Sequence, residues 1–382
     1  MNPERLFHWI EGGHEPEWPA ALEGVEDREL RLFQVLRLLP KKRAVLRAED
    51  YRKPVVLKCY AKSGSRQAER ERRGGLFLRA AGLRTPRVLV EQSFGPNSVR
   101  LFEWVEGGTP IHDLGASTAS LDTIGTVLDA LECGYRAGLF QSDLHPSNLL
   151  IARGEVWWLD AEGVRGLHRR TLSARVVRQN LACFVAQFPR EREPLLVDRL
   201  GRHRVAALGG APGGDGTRSG GAWDRWFKQF EREVAAWRQR RLRAWLKKVQ
   251  RASTAVHVEL RRGARGLCMR ESLVAREARA FLQHPEKVFE RAERFDDGST
   301  RRRMCWGDRE VEIERFEEKP VCALIGRPSK GRVAWIAGHR AVFVGAATGA
   351  AAQPEPVALV ELRSAPWSER SYYVSAAPRT IG

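Results

Sequence analysis

Residues Gln141 to Glu162 read QSDLHPSNLLIARGEVWWLDAE. Asp143 and Asn148 lie on a polar stretch that gives way to the apolar run Leu149, Leu150 and Ile151. Arg153-Gly154-Glu155 is turn chemistry, and Val156-Trp157-Trp158-Leu159 is a second apolar strand that closes on Asp160. A hairpin of the two strands returns Asp160 beside Asn148. Taken singly, an Asp near a Pro and an Asn is an ordinary turn. Together the three polar groups suit phosphoryl transfer: Asp143 to orient a hydroxyl and accept its proton, Asn148 and Asp160 to give Mg²⁺ hard oxygen ligands beside nucleotide phosphates.

The loop also carries a family pattern. Asp143, His145, Pro146 and Asn148 spell D-x-H-P-x-N, which resembles the loop of kinase-like small-molecule phosphotransferases and, within them, the bacterial lipopolysaccharide core kinases, the Kdo and heptose kinase family. It departs from the protein-kinase form H-R-D-x-x-x-x-N with D-F-G, because Gln141 and Ser142 replace His and Arg while Ala161 and Glu162 follow the last Asp. The resemblance spans roughly Leu32 to Leu208. It implies an α+β, protein-kinase-like bilobal fold, with a five-stranded N-lobe carrying one helix and a mainly helical C-lobe. It further implies ATP and Mg²⁺ as cofactors, Glu162 as a second metal-holding acid, and a sugar hydroxyl of lipid-linked lipopolysaccharide core as the acceptor.

Reading outward from the loop, residues 1–30 show no clear periodicity and are expected as a loosely packed lead-in to a kinase-like domain over 31–208, with its N-lobe over 31–106 and C-lobe over 107–208. Leu32–Leu39, Arg43–Ala48 and Pro54–Tyr60 read as strands, the last two joined by a hairpin turn over 49–53. Lys58 ends the apolar run Val55-Val56-Leu57, as the phosphate-binding lysine of kinases ends its strand. A strand lysine can equally be an edge or snorkelling residue. The following helix, Ser65–Ala81, offers Glu71 as its partner, with Glu69 as second choice; Glu71 precedes Gly82 at the spacing of the resembled family. The turn Leu39-Pro40-Lys41-Lys42 has no glycine to bring backbone N–H groups against a phosphate, so Lys41 and Lys42 would substitute side-chain charge. Val99–Val105 runs into Glu106-Gly107-Gly108, either a hinge whose backbone from Glu103 to Val105 meets adenine or a plain turn. Ser120–Gly138 carries an apolar stripe at helical spacing that delivers the chain to the loop.

Gly209–Gly221 is a glycine-rich linker, placed over 209–222. Over 223–250, Trp223, Trp226, Phe230, Val234 and Trp237 recur at helical spacing among arginines and lysines. Such a basic amphipathic helix lies either on an anionic membrane surface or against the kinase lobe. Residues 251–382 echo the beginning: Glu310–Phe316 aligns with Pro54–Tyr60, and Pro356–Glu361 with Pro86–Glu91. A degenerate second N-lobe follows from that alignment, with Glu314 in place of Lys58 and Asp296–Thr300 at the nucleotide-covering turn; a chance likeness of two strand-rich segments is the other reading.

A formal net charge of +18 favours a polyanionic neighbour, with lipopolysaccharide core and an anionic membrane surface preferred over nucleic acid because no nucleic-acid-binding motif accompanies it. Arginine-rich codon usage would also produce such an excess. With no signal pattern and no long apolar run, a cytoplasmic protein, peripheral on the inner-membrane face, is expected. Six scattered cysteines without a C-x-x-C pair read as reduced, mostly buried thiols. Two functions remain: an ATP-dependent sugar kinase, and a pseudokinase that binds lipid-linked core or a partner enzyme, which the glycine-free turn favours.

Overall fold

A computed structural model describes residues 1–11, 19–26, 28–111, 118–166, 172–188, 190–203, 205–208, 221–251, 253, 255–261, 264–295, 299–317, 328–348, 353–364 and 367–376. The chain divides into two compact units, one of 1–188 with 192–238 and one of 189–191 with 239–382. The glycine-rich linker up to Gly220, and Asp296 to Gly298 of the expected turn, lie outside the described residues.

The first unit opens with helix α1 (Pro3–Ile10), started by an Asn2 side chain that accepts the Arg5 N–H at 3.0 Å. Strands β1 (Ala20–Val25), β2 (Arg28–Leu39), β3 (Arg43–Asp50) and β4 (Lys53–Tyr60) follow, then helix α2 (Ser65–Ala80), β5 (Val88–Phe94) and β6 (Asn97–Glu103). They build an antiparallel sheet ordered β1-β2-β3-β4-β6-β5. Period-two alternation splits its faces. Ala44, Leu46, Ala48, Val55, Leu57 and Cys59 are buried on one; Val45, Val56 and Lys58 point the other way, into a cleft.

The expectation of a loose lead-in is corrected here. Leu6, Phe7, Trp9 and Ile10 of α1, with Leu22 and Val25 of β1, are buried in the core on the first of these faces, which also makes the sheet six-stranded rather than five. The terminal helix also anchors the turn between β2 and β3: the Ile10 carbonyl accepts the Lys41 N–H at 2.7 Å, and the Lys42 carbonyl accepts that of Ala61 at 2.8 Å.

Helix α3 (Thr118–Arg136) leads into the C-lobe, preceded by β7 (Thr109–Pro110) and followed by β8 (Leu139–Gln141), β9 (Leu149–Ala152), β10 (Glu155–Trp158) and β11 (Val164–Gly166). The predicted hairpin is β9–β10. Its two-residue turn, Arg153-Gly154, is left-handed at both positions (φ 54° and 76°), the geometry that matches strand twist. Helices α4 (Ala174–Val185), α5 (Glu193–Arg202), α6 (Val205–Leu208) and the first part of α7 (Gly221–Lys248) complete the lobe. Along α7, Trp223, Trp226 and Phe230 stack at 5.3 and 5.2 Å and, with Val234, are buried in the helical core, while the Trp237 indole N–H donates to the Gln179 carbonyl. Burying an aromatic of this kind stabilises by roughly 1.5–3 kcal/mol. This apolar face is therefore spent on packing, and Arg225, Lys228 and Arg232 remain outward.

The second unit is a seven-stranded antiparallel sheet. Its elements are β12 (Val256–Arg261), β13 (Ala264–Met269), helices α8 (Arg276–Gln283) and α9 (Pro285–Arg291), β14 (Glu293–Arg294), β15 (Arg301–Trp306), β16 (Arg309–Glu317), α10 (Lys330–Thr348), β17 (Glu355–Ser364) and β18 (Trp367–Ala376). The order is β12-β13-β17-β18-β16-β15-β14. The expected five strands and one helix are thus enlarged by β12, β13, α8 and α9. Within it, the run β14-β15-β16-β18-β17, with α10 inserted between β16 and β17, repeats the wiring β2-β3-β4-β6-β5 with α2 between β4 and β5. The aligned segments fall on matching strands: Glu310–Phe316 on β16, counterpart of β4, and Pro356–Glu361 on β17, counterpart of β5.

Glu314 faces Tyr373 and Arg301 across the ladders, and the charges that bear on it, Arg301 and Glu312, come from the sheet rather than from α10. A buried ion pair of this unit runs the other way, from Arg332 on the helix to Glu361 on β17, with the Ser329 hydroxyl donating to the same carboxylate at 2.7 Å.

Cys59, Cys183 and Cys268 are buried, whereas Cys133 and Cys305 are exposed; Cys322 lies outside the described residues. Burial pushes the Cys268 thiol up to about 12. Among the described residues no helix is long and apolar enough to cross a membrane.

Candidate active site

Lys58 projects from β4 into the cleft, where its ammonium pairs with Glu71 of α2, donates to the Leu159 carbonyl at 3.1 Å and sits 4.9 Å from the Phe102 ring. Glu69 is exposed and pairs with Arg72 instead. Burial raises the Glu71 carboxyl, with Lys58 opposing that rise. Helix α2 can hold Glu71 this close because Gly74, one turn further on, has no side chain: a Cβ there would stand 2.0 Å from the Ala161 carbonyl oxygen.

The loop after β8 is held from below. Tyr135 donates to the Asn180 side chain at 2.9 Å, Asn180 donates to the Gln141 carbonyl at 2.6 Å, and the Gln141 amide donates to the Asp160 carbonyl at 2.9 Å. Leu144 is fully buried, so its neighbour Asp143 is left exposed toward solvent. His145 receives the Ser147 N–H, and the Asn148 amide donates to the Asp143 carbonyl at 3.4 Å. The Leu159 N–H donates to the Asn148 carbonyl at 2.8 Å, which ties the two ends of the hairpin. Asp143, Asn148, Asp160 and Glu162 therefore line one cavity of about 640 Å³, as the sequence pattern predicts.

Next to it is a cavity of about 330 Å³, walled by Leu36, Val45, Val56, Phe102, Leu150 and Leu159 and edged by Glu103, Trp104 and Val105. An apolar slot with backbone at one edge suits a planar heterocycle. Lys58, Asn148 and Asp160 also line it, and Asn148 and Asp160 are shared with the larger cavity. Of the two lysines on the β2–β3 turn, Lys42 lines the larger cavity, and Lys41, in a left-handed conformation (φ 64°), lines neither.

One residue went unread in the sequence. Arg43, the first residue of β3, is 4% exposed and donates from Nη1 to Glu162 Oε2 at 2.9 Å, with Nη2 3.5 Å from Asp160 Oδ2. A bulge in β2 after Val35 adds Leu36 to the strand, and Leu36 and Arg37 both line the cleft. Burial works to raise the Asp160 carboxyl, but Lys58, Arg43, the Glu162 N–H and Arg37 outweigh it and hold Asp160 below the usual carboxylate range. The available signal was strand alternation: if Val45 faces the cleft, so does Arg43.

Asp160, Glu162 and the Asn148 amide oxygen, hard donors of the kind Mg²⁺ prefers, line the same cavity. The guanidinium of Arg43 already engages both carboxylates.

No protein-family model matches the chain, and no curated protein matches it. Similar solved structures include "WaaP in complex with acyl carrier protein" (15% identity, TM-score 0.38), which covers 60% of this chain and 96% of that one. Others are "Structure of vaccinia related kinase 3" (14%, TM-score 0.27, 42% of this chain and 56% of that one) and "Crystal structure of BubR1 kinase domain" (13%, TM-score 0.33, 43% and 58%). The kinase-like fold itself stands on the strand wiring of the first unit and on the placement of Lys58, Glu71 and the loop between β8 and β11.

Proposed function

We propose that the chain is an ATP-dependent phosphotransferase whose acceptor is a sugar hydroxyl of lipopolysaccharide inner core, met at the cytoplasmic face of the membrane. The observation that carries the transferase reading is the meeting, in one cleft, of the Lys58–Glu71 pair with Asn148 and Asp160, beside the exposed Asp143. In this reading the apolar slot holds the base, Lys58 binds the phosphates, and Asp143 orients the acceptor hydroxyl and takes its proton. Asp160, Asn148 and Glu162 would hold Mg²⁺, which supplies charge neutralisation at the phosphates. The acceptor class is supported by the D-x-H-P-x-N loop and by the basic lining of the larger cavity, where Arg37, Lys42, Arg43, Arg70 and Arg165 face three carboxylates.

A second reading, a pseudokinase that binds lipid-linked core or a partner enzyme, is favoured by the engagement of Asp160 and Glu162 with Arg43. The test is transfer of labelled γ-phosphate from ATP to dephosphorylated lipopolysaccharide. Asp143→Asn is expected to lower turnover by about 10² to 10⁴ while nucleotide binding is kept. Nucleotide binding by the wild-type chain without any transfer would leave the second reading standing.

A further inference from the structure

We propose that Arg43 is a nucleotide-phosphate-binding residue, and that through it this cleft binds a triphosphate without divalent metal. The inference rests on the nucleotide reading of the cleft given above. Three observations carry it. The turn between β2 and β3 has no glycine, and its backbone is turned to other uses: the Lys41 N–H is given to Ile10, and the Lys42 carbonyl to Ala61. Backbone N–H groups of a glycine loop are thus replaced at the first residue after the turn by a guanidinium with five donors.

Arg43 is also buried where a phosphate would have to lie. It lines both cavities, and its Nε–H has no hydrogen-bond partner among the described residues even though Nη1 and Nη2 are directed at Glu162 and Asp160. A buried donor left open in this way is costly unless an acceptor arrives.

The electrostatics give the third argument. A triphosphate entering between Asp160 and Glu162 meets two carboxylates of its own sign, and a cation must stand between them. In metal-dependent sites that cation is the ion. Here Arg43 occupies the position on the protein side, with Arg37, Lys42, Arg70 and Arg165 around it, so that five cations face three carboxylates among the described residues lining the larger cavity. Binding and transfer then separate: metal can still be needed for the chemistry while contributing little to affinity.

The experiment titrates the full-length chain by calorimetry with three probes: adenosine, ATP in excess EDTA, and ATP with Mg²⁺. Wild type is expected to bind ATP in EDTA within about threefold of its affinity with Mg²⁺, and more tightly than adenosine by about tenfold or more, the worth of charge-assisted hydrogen bonds. Arg43→Gln is expected to lose about tenfold for ATP in EDTA, to keep adenosine affinity, and to gain a dependence on Mg²⁺, because Asp160 and Glu162 are released to the ion.

Wild-type binding of ATP only when Mg²⁺ is present overturns the proposal, as does equal ATP affinity in EDTA for Arg43→Gln and wild type. Neither result touches the nucleotide reading of the cleft, which fails separately if adenosine and ATP bind under no condition. Should Arg43→Gln fail to fold, the wild-type comparison of EDTA with Mg²⁺ still decides.

Discussion

Helix α2 contains two adjacent glycines with opposite surroundings, and replacing each by alanine tests how the Lys58–Glu71 pair is held. Both substitutions bring the same gain in helix propensity, about 0.8–1 kcal/mol. At Gly75 a Cβ meets no atom closer than the Arg79 guanidinium at 3.6 Å, so Gly75→Ala is expected to stabilise by nearly that amount. At Gly74 the same atom would lie 2.0 Å from the Ala161 carbonyl oxygen, against 3.0 Å as the shortest approach that real Cβ atoms show, so the helix and the segment between β10 and β11 must part by about 1 Å. Overpacking of this kind costs about 1–3 kcal/mol and exceeds the propensity gain.

Gly74 and Glu71 are three residues apart and share one face of α2, so the displacement is transmitted to the carboxylate that holds Lys58. A misplacement of about 1 Å in a positioning group can cost 10²-fold in rate. The assay is a pair of urea melts with phosphate transfer measured on each variant. Gly75→Ala should melt later with unchanged transfer, and Gly74→Ala earlier with transfer reduced by about 10²-fold. Equal stability and activity in the two variants would refute the close approach and the positioning role drawn from it.

Two further outcomes are expected. Gln141→Leu removes the amide that donates to the Asp160 carbonyl and leaves that carbonyl without its partner, at a cost of about 1–3 kcal/mol, and Gln141→His, which restores a ring N–H donor, should recover more of the transfer rate than Leu does. In the second unit His339 lies between the Trp335 and Trp245 rings at 4.3 and 5.7 Å, and burial pushes its pKa down to about 4. The unfolded chain, near 6.5, takes up this proton first, so stability is full above pH 6.5 and is lost as pH falls toward 4, by about 2 kcal/mol at pH 5. His339→Leu should flatten the urea midpoint of that unit between pH 7 and 5; a slope equal to wild type would remove His339 as its source.

Much of the first unit could be read from residue order because its signals are local. Lys58 ends an apolar strand and Glu71 sits on the next helix, and the loop residues are spaced by a hairpin whose turn, Arg153-Gly154, advertises itself. Gln141 was legible only as a departure from the histidine of protein kinases, yet its amide reaches the Asp160 carbonyl. Arg43 was hidden for a different reason: an arginine beside two lysines reads as solvent-exposed, and its partner Glu162 lies 119 residues later. Helix α1 was missed because eight residues give too short a stripe to stand above its surroundings, and its stability comes from the sheet it covers. The repeat in the second unit was visible where strands align, but β13, which carries β12, attaches to β17 by pairing that no local pattern announces.

The anchoring of the β2–β3 turn sets how fast this cleft can exchange its contents. With Lys41 tied to the end of α1 and Lys42 to the residue after β4, the turn cannot lift and reclose as a flap. Flap and lid closures run on microsecond to millisecond times, whereas exposed side chains change rotamer in picoseconds to nanoseconds. Under the nucleotide reading proposed above, entry and exit would pass the exposed side chains of Lys42 and Arg37. A tied turn with cations at the rim is expected to make nucleotide association steep in ionic strength and to leave dissociation to the contacts inside.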